Sequence, residues 1–120
     1  MKKDDTVYLD HILLYISKLE IYISDKEYSD FIKDESIQNN IIRMLEIIGE
    51  ASIKISNDFK ERYTEVPWSK IKGMRNILVH DYASVRIDVV WNTVKLAMPS
   101  LKEQIKKIIE LIKKQSSLDL

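Results

Sequence analysis

Glycine and proline each occur only twice in 120 residues, and this scarcity limits the possible folds more than any other feature of the chain. Sheet proteins break the chain with turn residues roughly every 8–12 positions, and no such punctuation is present. Isoleucine is abundant, but it recurs at three- and four-residue intervals rather than in alternation, which is the pattern of helical stripes. The expected fold is therefore all-α, an up-and-down bundle of four to five helices. Apolar residues make up 45% and charged residues 32% of the chain, a soluble globular composition. A chain of this length can bury roughly two-thirds of its unfolded surface without covalent staples. One domain is expected over 1–120, with 115–120 a frayed tail.

What is missing narrows the chemistry. No cysteine occurs, which excludes disulfides, thiolate zinc sites and cysteine nucleophiles. The two histidines, His11 and His80, are too few for a multi-histidine metal site within one chain. The longest unbroken apolar run, Ile12 to Ile16, falls far short of the roughly 20 residues of a membrane span. The start, Met1-Lys-Lys-Asp-Asp, lacks the apolar stretch of a signal peptide. A cytoplasmic protein is expected.

The first helix is predicted from Asp5 to Ser24, with Leu9, Ile12, Leu13, Ile16, Leu19 and Ile23 on one stripe. Tyr8, Tyr15 and Tyr22 repeat every seven residues on its flank, suited to a core margin or a subunit contact. His11 beside them reads as an ordinary surface or interface residue. Residues 25–36 are polar and offer Asp34 or Ser36 as a helix cap. The second helix, from about 37 to Asn57, carries two apolar faces. One holds Ile37, Ile41, Met44, Leu45, Ile48, Ser52 and Ile55; the other holds Ile42, Gly49 and Ile53. Gly49 inside a helix costs about 1 kcal/mol against alanine, which a close helix approach would justify. A further turn is expected over 58–63 and a connection over 64–68. A third helix is expected from Pro67 to His80, and a break over 81–86 with Ser84 as a possible cap. The last helix is expected to reach about Lys114, kinked or split at Pro99. In it Leu101, Ile105, Ile108, Ile109 and Ile112 lie on one side, and Lys102, Lys106 and Lys113 on a neighbouring strip.

The formal charge is zero, yet it is unevenly distributed. Residues 1–67 carry 9 basic and 14 acidic side chains, and residues 68–120 carry 10 and 5. A positive half can attract a phosphate backbone even in a neutral chain, although lysines also simply solvate a terminal helix.

The chemistry-bearing stretch is Lys70-Ile-Lys-Gly-Met-Arg-Asn-Ile-Leu-Val-His-Asp-Tyr82. It sets Arg75 and His80 among core-like residues. Five residues on a straight helix rotate by about 140°, so the two do not share a face of one continuous helix. They converge if the helix ends near His80, or if the site is assembled between two copies. Arg75 and Tyr82 would share a face if the helix continued. The spacing leaves these options open.

The order Arg, four residues, His, one residue, Tyr resembles the HepT-like family of HEPN-domain proteins. The likeness extends through Leu45-Glu-Ile-Ile-Gly-Glu-Ala51, Val66-Pro-Trp68, Ile71-Lys-Gly-Met-Arg-Asn76 and Val79-His-Asp-Tyr82. It continues at Trp91 and Met98-Pro-Ser-Leu101, so that it covers about 5–110. The resemblance implies the toxin of a type VII-like toxin–antitoxin pair, a metal-independent endoribonuclease working as a homodimer without a cofactor. It implies Arg75 and His80 as the catalytic pair, Asn76 as a supporting residue, and Tyr82 as the acceptor of AMP from a small nucleotidyltransferase antitoxin. The residue types suit that chemistry. RNA carries its own nucleophile, the 2′-hydroxyl; a histidine titrating near neutrality serves as base or acid, and arginine's fork suits phosphate oxygens. The alternative is a non-catalytic helical partner that presents substrate to a nucleotidyltransferase.

Overall fold

The computed structural model describes residues 3–118. Among the described residues there is no strand, and the chain folds as helices α1 (Lys3–Ile23), α2 (Tyr28–Lys33), α3 (Glu35–Lys54), α4 (Asn57–Arg62), α5 (Trp68–His80), α6 (Ile87–Asn92) and α7 (Met98–Leu118). The all-α bundle expected from the periodicity is the observed architecture. Its shared core is built by the predicted stripes. Leu9, Ile12, Ile16 and Leu19 of α1 are buried against Ile41, Leu45 and Ile48 of α3 and Leu101, Ile105 and Ile108 of α7. Each such side chain contributes about 1.5–3 kcal/mol by leaving water. The tyrosine flank of α1 is half-buried against this core. Tyr22 accepts a hydrogen bond from Asn40 of α3 at 2.9 Å, and the ammonium of Lys54, also of α3, lies 5.9 Å from the Tyr8 ring centre. The flank therefore faces α3. His11 is exposed, with its ring edge-on to Tyr15.

Two details of the connecting stretches differ from the sequence reading, and one, the cap at Asp34, agrees with it. The polar stretch 25–36 contains a helix, α2. Asp30 accepts from the Glu27 backbone N–H at 2.8 Å to close its first turn, and Phe31 anchors it, fully buried with its ring centre 5.1 Å from that of Trp91. Asp34 is the cap that starts α3, accepting from the backbone of Ser36 at 2.9 Å and Ile37 at 3.3 Å. Ser84 does not cap the next helix: α6 begins at Ile87, after Arg86, and Ser84 closes a 3₁₀ turn over Tyr82–Ser84.

Pro99 neither breaks nor splits the last helix. The turn before it, Thr93–Ala97, is a wide π turn in which the Met98 N–H bonds to the Thr93 carbonyl. A proline removes one helical donor and crowds the carbonyl four residues back, and a wider turn at that point relieves both. Residues 87–118 thus stay helical from α6 through the π turn into α7. Helix α7 also runs past Lys114, with Ser117 bonding back to the Lys113 carbonyl at 3.2 Å. Of the tail expected to fray, residues 119 and 120 lie outside the described residues. Lys102 of the predicted basic strip is tied to Glu20 of α1 at 2.7 Å, while Lys106 and Lys113 are exposed.

A buried polar network joins the ends of α1 and α3. Asp5, 2% exposed, accepts from both the Ser56 backbone N–H and its hydroxyl, each at 2.8 Å. The same hydroxyl accepts from Phe59 N–H at 3.3 Å and caps α4. Two carboxylate bonds thereby hold the turn that reverses the chain from α3 toward α5.

Candidate active site

Helix α5 packs antiparallel along α3, so that Arg75 lies opposite Gly49 and Tyr82 opposite Asn39. Gly49 is the point of closest approach. A Cβ built on it would lie 2.5 Å from Arg75 Cβ and 2.9 Å from Arg75 Cγ, well inside the usual carbon–carbon separation of about 3.5–4.0 Å. The glycine that costs helix propensity therefore lets the stem of Arg75 sit on α3. The close helix approach and the candidate site are the same place.

The next residue of α3 fixes the guanidinium. One carboxylate oxygen of Glu50, Oε1, accepts from Arg75 Nε at 3.2 Å and from Nη2 at 2.9 Å. The arginine side chain is 21% exposed and the glutamate 42%. Glu50 thus occupies one edge of the arginine fork, and the other end, carrying Nη1, is turned along the surface. Nη1 donates to Asn76 Oδ1 at 3.1 Å and lies 3.5 Å from His80 Nε2. The 140° separation on the helix is overcome in one chain, because α5 ends at His80 and the arginine is long enough to reach it. The structure therefore brings Arg75, Asn76 and His80 together.

Tyr82 is placed apart from them. It begins the 3₁₀ turn, the residue is 57% exposed, and its hydroxyl donates to Asn39 Oδ1 at 2.9 Å. Asn39 precedes Glu50 by eleven residues of α3, about 16 Å along the helix. The helix does not continue through Tyr82, so the shared face with Arg75 does not form. Glu50 and Asn39 are the site residues that sequence reasoning missed. Glu50 lies in the Leu45–Ala51 stretch already singled out, directly after the glycine whose cost called for a close contact, and that adjacency was its only signal. Asn39 carried none.

The arrangement has three chemical capacities. An arginine edge held by a carboxylate and aimed across the surface can bind a phosphate oxygen. An imidazole beside it, with Nε2 toward the guanidinium, can accept or return a proton. Lys72, exposed one turn before Arg75 and Asn76 on α5, adds a cation along the same side. Among the described residues, no group of three or more His, Asp and Glu side chains is placed to hold a metal ion. A cavity of about 640 Å³ between α5, α6 and α7 is apolar, lined by Met74, Leu78, Val85, Val90, Met98 and Leu101; Arg75 and His80 do not border it.

Fold and site together define a HEPN-like helical bundle with a surface Arg–His pair. The chain belongs to the HepT-like ribonuclease family: the family model described as "Ribonuclease HepT-like" matches residues 12–108. It is 42% identical over 108 residues to a Thermococcus cleftensis protein named "Probable ribonuclease HepT", covering 90% of this chain and 98% of that one. It is 38% identical over 109 residues to a Methanocaldococcus jannaschii protein named "Putative RNase MJ0125", covering 91% and 94%. A longer protein of the same organism, "Gamma-glutamylcyclotransferase and putative RNase MJ0434", is 40% identical over 117 residues. That match takes in 98% of this chain, which spans only about half, 53%, of that relative. No solved structure matches the chain. Among the described residues, no helix is long and apolar enough to cross a membrane.

Proposed function

We propose that this protein is a metal-independent endoribonuclease, the toxin of a type VII-like toxin–antitoxin pair, and that its activity resides in Arg75 and His80 with Asn76 in support. The observation that carries this reading is the contact of Arg75 Nη1 with His80 Nε2 at 3.5 Å, with the guanidinium held from behind by Glu50.

In the proposed reaction a neutral His80 takes the proton of an RNA 2′-hydroxyl. The freed oxygen attacks the adjacent phosphorus, and the bond from phosphorus to the 5′-oxygen breaks. That oxygen leaves with a proton from a general acid. Arg75 donates to the non-bridging oxygens, whose charge grows in the transition state. The products are a 2′,3′-cyclic phosphate and a 5′-hydroxyl. One chain supplies one such histidine; two chains about a two-fold axis supply a base and an acid together, which favours a homodimer with the pairs facing a common cleft. No residue of this scheme calls for a metal or a cofactor.

Regulation is proposed at Tyr82. A small nucleotidyltransferase antitoxin transfers AMP to it. The phenolic oxygen attacks the α-phosphorus of ATP, its proton passes to a base of the transferase, the new P–O bond forms, and pyrophosphate leaves as the bond to the β-phosphate breaks. The added phosphodiester stands on the turn that directly follows His80, and its charge opposes the approach of RNA phosphates to the cationic surface of α5. The exposure of Tyr82 supports access by a second enzyme.

The test is cleavage of RNA by the purified protein in the presence of chelator, with the 3′ ends identified. Cyclic phosphate ends that disappear in Arg75→Ala and His80→Ala variants are expected. A folded wild-type protein that docks the transferase but leaves RNA intact would instead favour the substrate-presenting module. For regulation, intact mass after co-expression with the transferase should show AMP on the wild type and none on Tyr82→Phe.

A further inference from the structure

The Tyr82 hydroxyl faces away from the Arg–His pair, toward the first turns of α3. A pocket of about 380 Å³ borders the tyrosine, within the range of small-ligand sites, about 300–1,000 Å³. Tyr82 itself forms part of its wall. The remainder comes from Ile32 and Lys33 at the end of α2, from Glu35, Gln38 and Ile42 of α3, and from Val85 and Ile87 beyond the 3₁₀ turn. We propose that this pocket is a nucleotide site, and that it receives the AMP group carried by Tyr82. The inference rests on the reading of Tyr82 as the AMP acceptor and adds where the nucleotide goes.

The lining divides by chemistry into the parts a nucleotide needs. Ile32, Ile42, Val85 and Ile87 supply apolar surface on which a purine or ribose can lie. Ile32 is 44% exposed there. Lys33 is exposed and makes no ion pair among the described residues, so its ammonium is free for a phosphate oxygen. Glu35 would repel a phosphate, but its carboxylate can accept from ribose hydroxyls or an exocyclic amine. Gln38 keeps the wall in place, because its amide donates to the carbonyls of Phe31 at 2.9 Å and Ile32 at 3.3 Å and so fixes the end of α2.

The tyrosine supplies the coupling. In the unmodified protein its O–H is the donor in the bond to Asn39. Conversion to a phosphodiester removes that proton, so the bond is lost and the ring is free to turn. The same step brings in a nucleotide that the adjoining pocket can hold. A seated nucleotide is sheltered from solvent, which makes the modification long-lived and keeps its charge beside the turn that follows His80.

The test uses the full-length protein co-expressed with its nucleotidyltransferase, intact mass and peptide mapping to locate AMP, and spectra of ¹³C-labelled isoleucine methyls. Adenylylation at Tyr82 should shift the methyls of Ile32, Ile42 and Ile87 through the ring current of adenine and leave those of Ile12 and Ile16 in place. An added phosphodiesterase should remove AMP about tenfold faster from Lys33→Glu than from wild type, with Lys33→Arg close to wild type. AMP on Tyr82 with the three methyls silent, or with equal release from Lys33→Glu, overturns the pocket and leaves Tyr82 as the acceptor. No AMP on Tyr82 overturns the acceptor reading and the pocket with it. A final arm adds an RNA dinucleotide to Tyr82→Phe. Shifts at these methyls there, with none on adenylylation, assign the pocket to substrate and refute the proposal.

Discussion

Replacing Gly49 with alanine separates the packing of the site from the stability of the fold, because two opposing effects nearly cancel in stability but not in activity. Alanine gains about 1 kcal/mol of helix propensity over glycine inside α3. The added methyl, however, would lie 2.5 Å from Arg75 Cβ and 2.9 Å from its Cγ, so α5 must retreat by roughly 1 Å to restore a normal separation of about 3.5 Å. These are the stem atoms of the arginine, so a rotamer change at its far end gives no relief. Overpacking of this kind costs about 1–3 kcal/mol, which leaves a net loss of about 0–2 kcal/mol and a Tm lower by no more than about 8 °C at roughly 4 °C per kcal/mol. Activity has no such compensation. A displacement of about 1 Å pulls the guanidinium from Glu50 and away from His80, and misplacement on that scale costs about 100-fold. Gly73→Ala is the matched control. Gly73 also lies inside a helix, α5, but a Cβ there meets nothing within 4 Å. It should gain the propensity without the clash, raising Tm by about 4 °C with RNA cleavage unchanged. Thermal unfolding and a cleavage assay on both variants decide the matter. If Gly49→Ala is stabilised like Gly73→Ala and cleaves RNA at the wild-type rate, the close approach does not position Arg75 and the reasoning fails.

Other substitutions test separate parts of the structure. Glu50→Ala should lower kcat about 10- to 100-fold by releasing the guanidinium, with only about 1 kcal/mol lost in stability because the pair is partly exposed; Glu50→Gln, which keeps an acceptor, should fall between it and wild type. Asp5→Ala should cost about 1–3 kcal/mol, since it leaves the Ser56 N–H and hydroxyl without their acceptor, and calorimetry reads it directly. Phe31→Ala should cost about 3–5 kcal/mol, although it lies in a stretch that reads as polar; a loss below about 1 kcal/mol would mean α2 is not part of the core.

The sequence made the long helices legible because their apolar stripes repeat at helical spacing. The same logic placed Gly49 at a close contact. It did not name the partner, because which residue meets Gly49 depends on how α3 and α5 align, and neither sequence alone carries that register. Helix α2 escaped notice for the opposite reason. Six residues hold too few apolar positions to show a period, and its stability comes from one phenylalanine packed on Trp91, sixty residues later. At the site, the motif spacing put Arg75 and His80 on different faces, and the resolution is the end of α5 at His80 together with the reach of an arginine side chain. Pro99 looked like a break because proline removes a helical bond; the π turn over Thr93–Ala97 absorbs that loss, and nothing in the local composition announces it.

The central claim is that His80 and Arg75 cleave RNA, and it is tested most directly with purified His80→Ala. His80 is exposed at the end of α5, so the variant should keep a cooperative transition close to the wild-type Tm. Loss of a general base should lower RNA cleavage about 10²- to 10⁴-fold, and the cyclic phosphate ends formed by wild type should fall with it. A His80→Ala protein that folds normally and cleaves RNA at the wild-type rate would contradict the account.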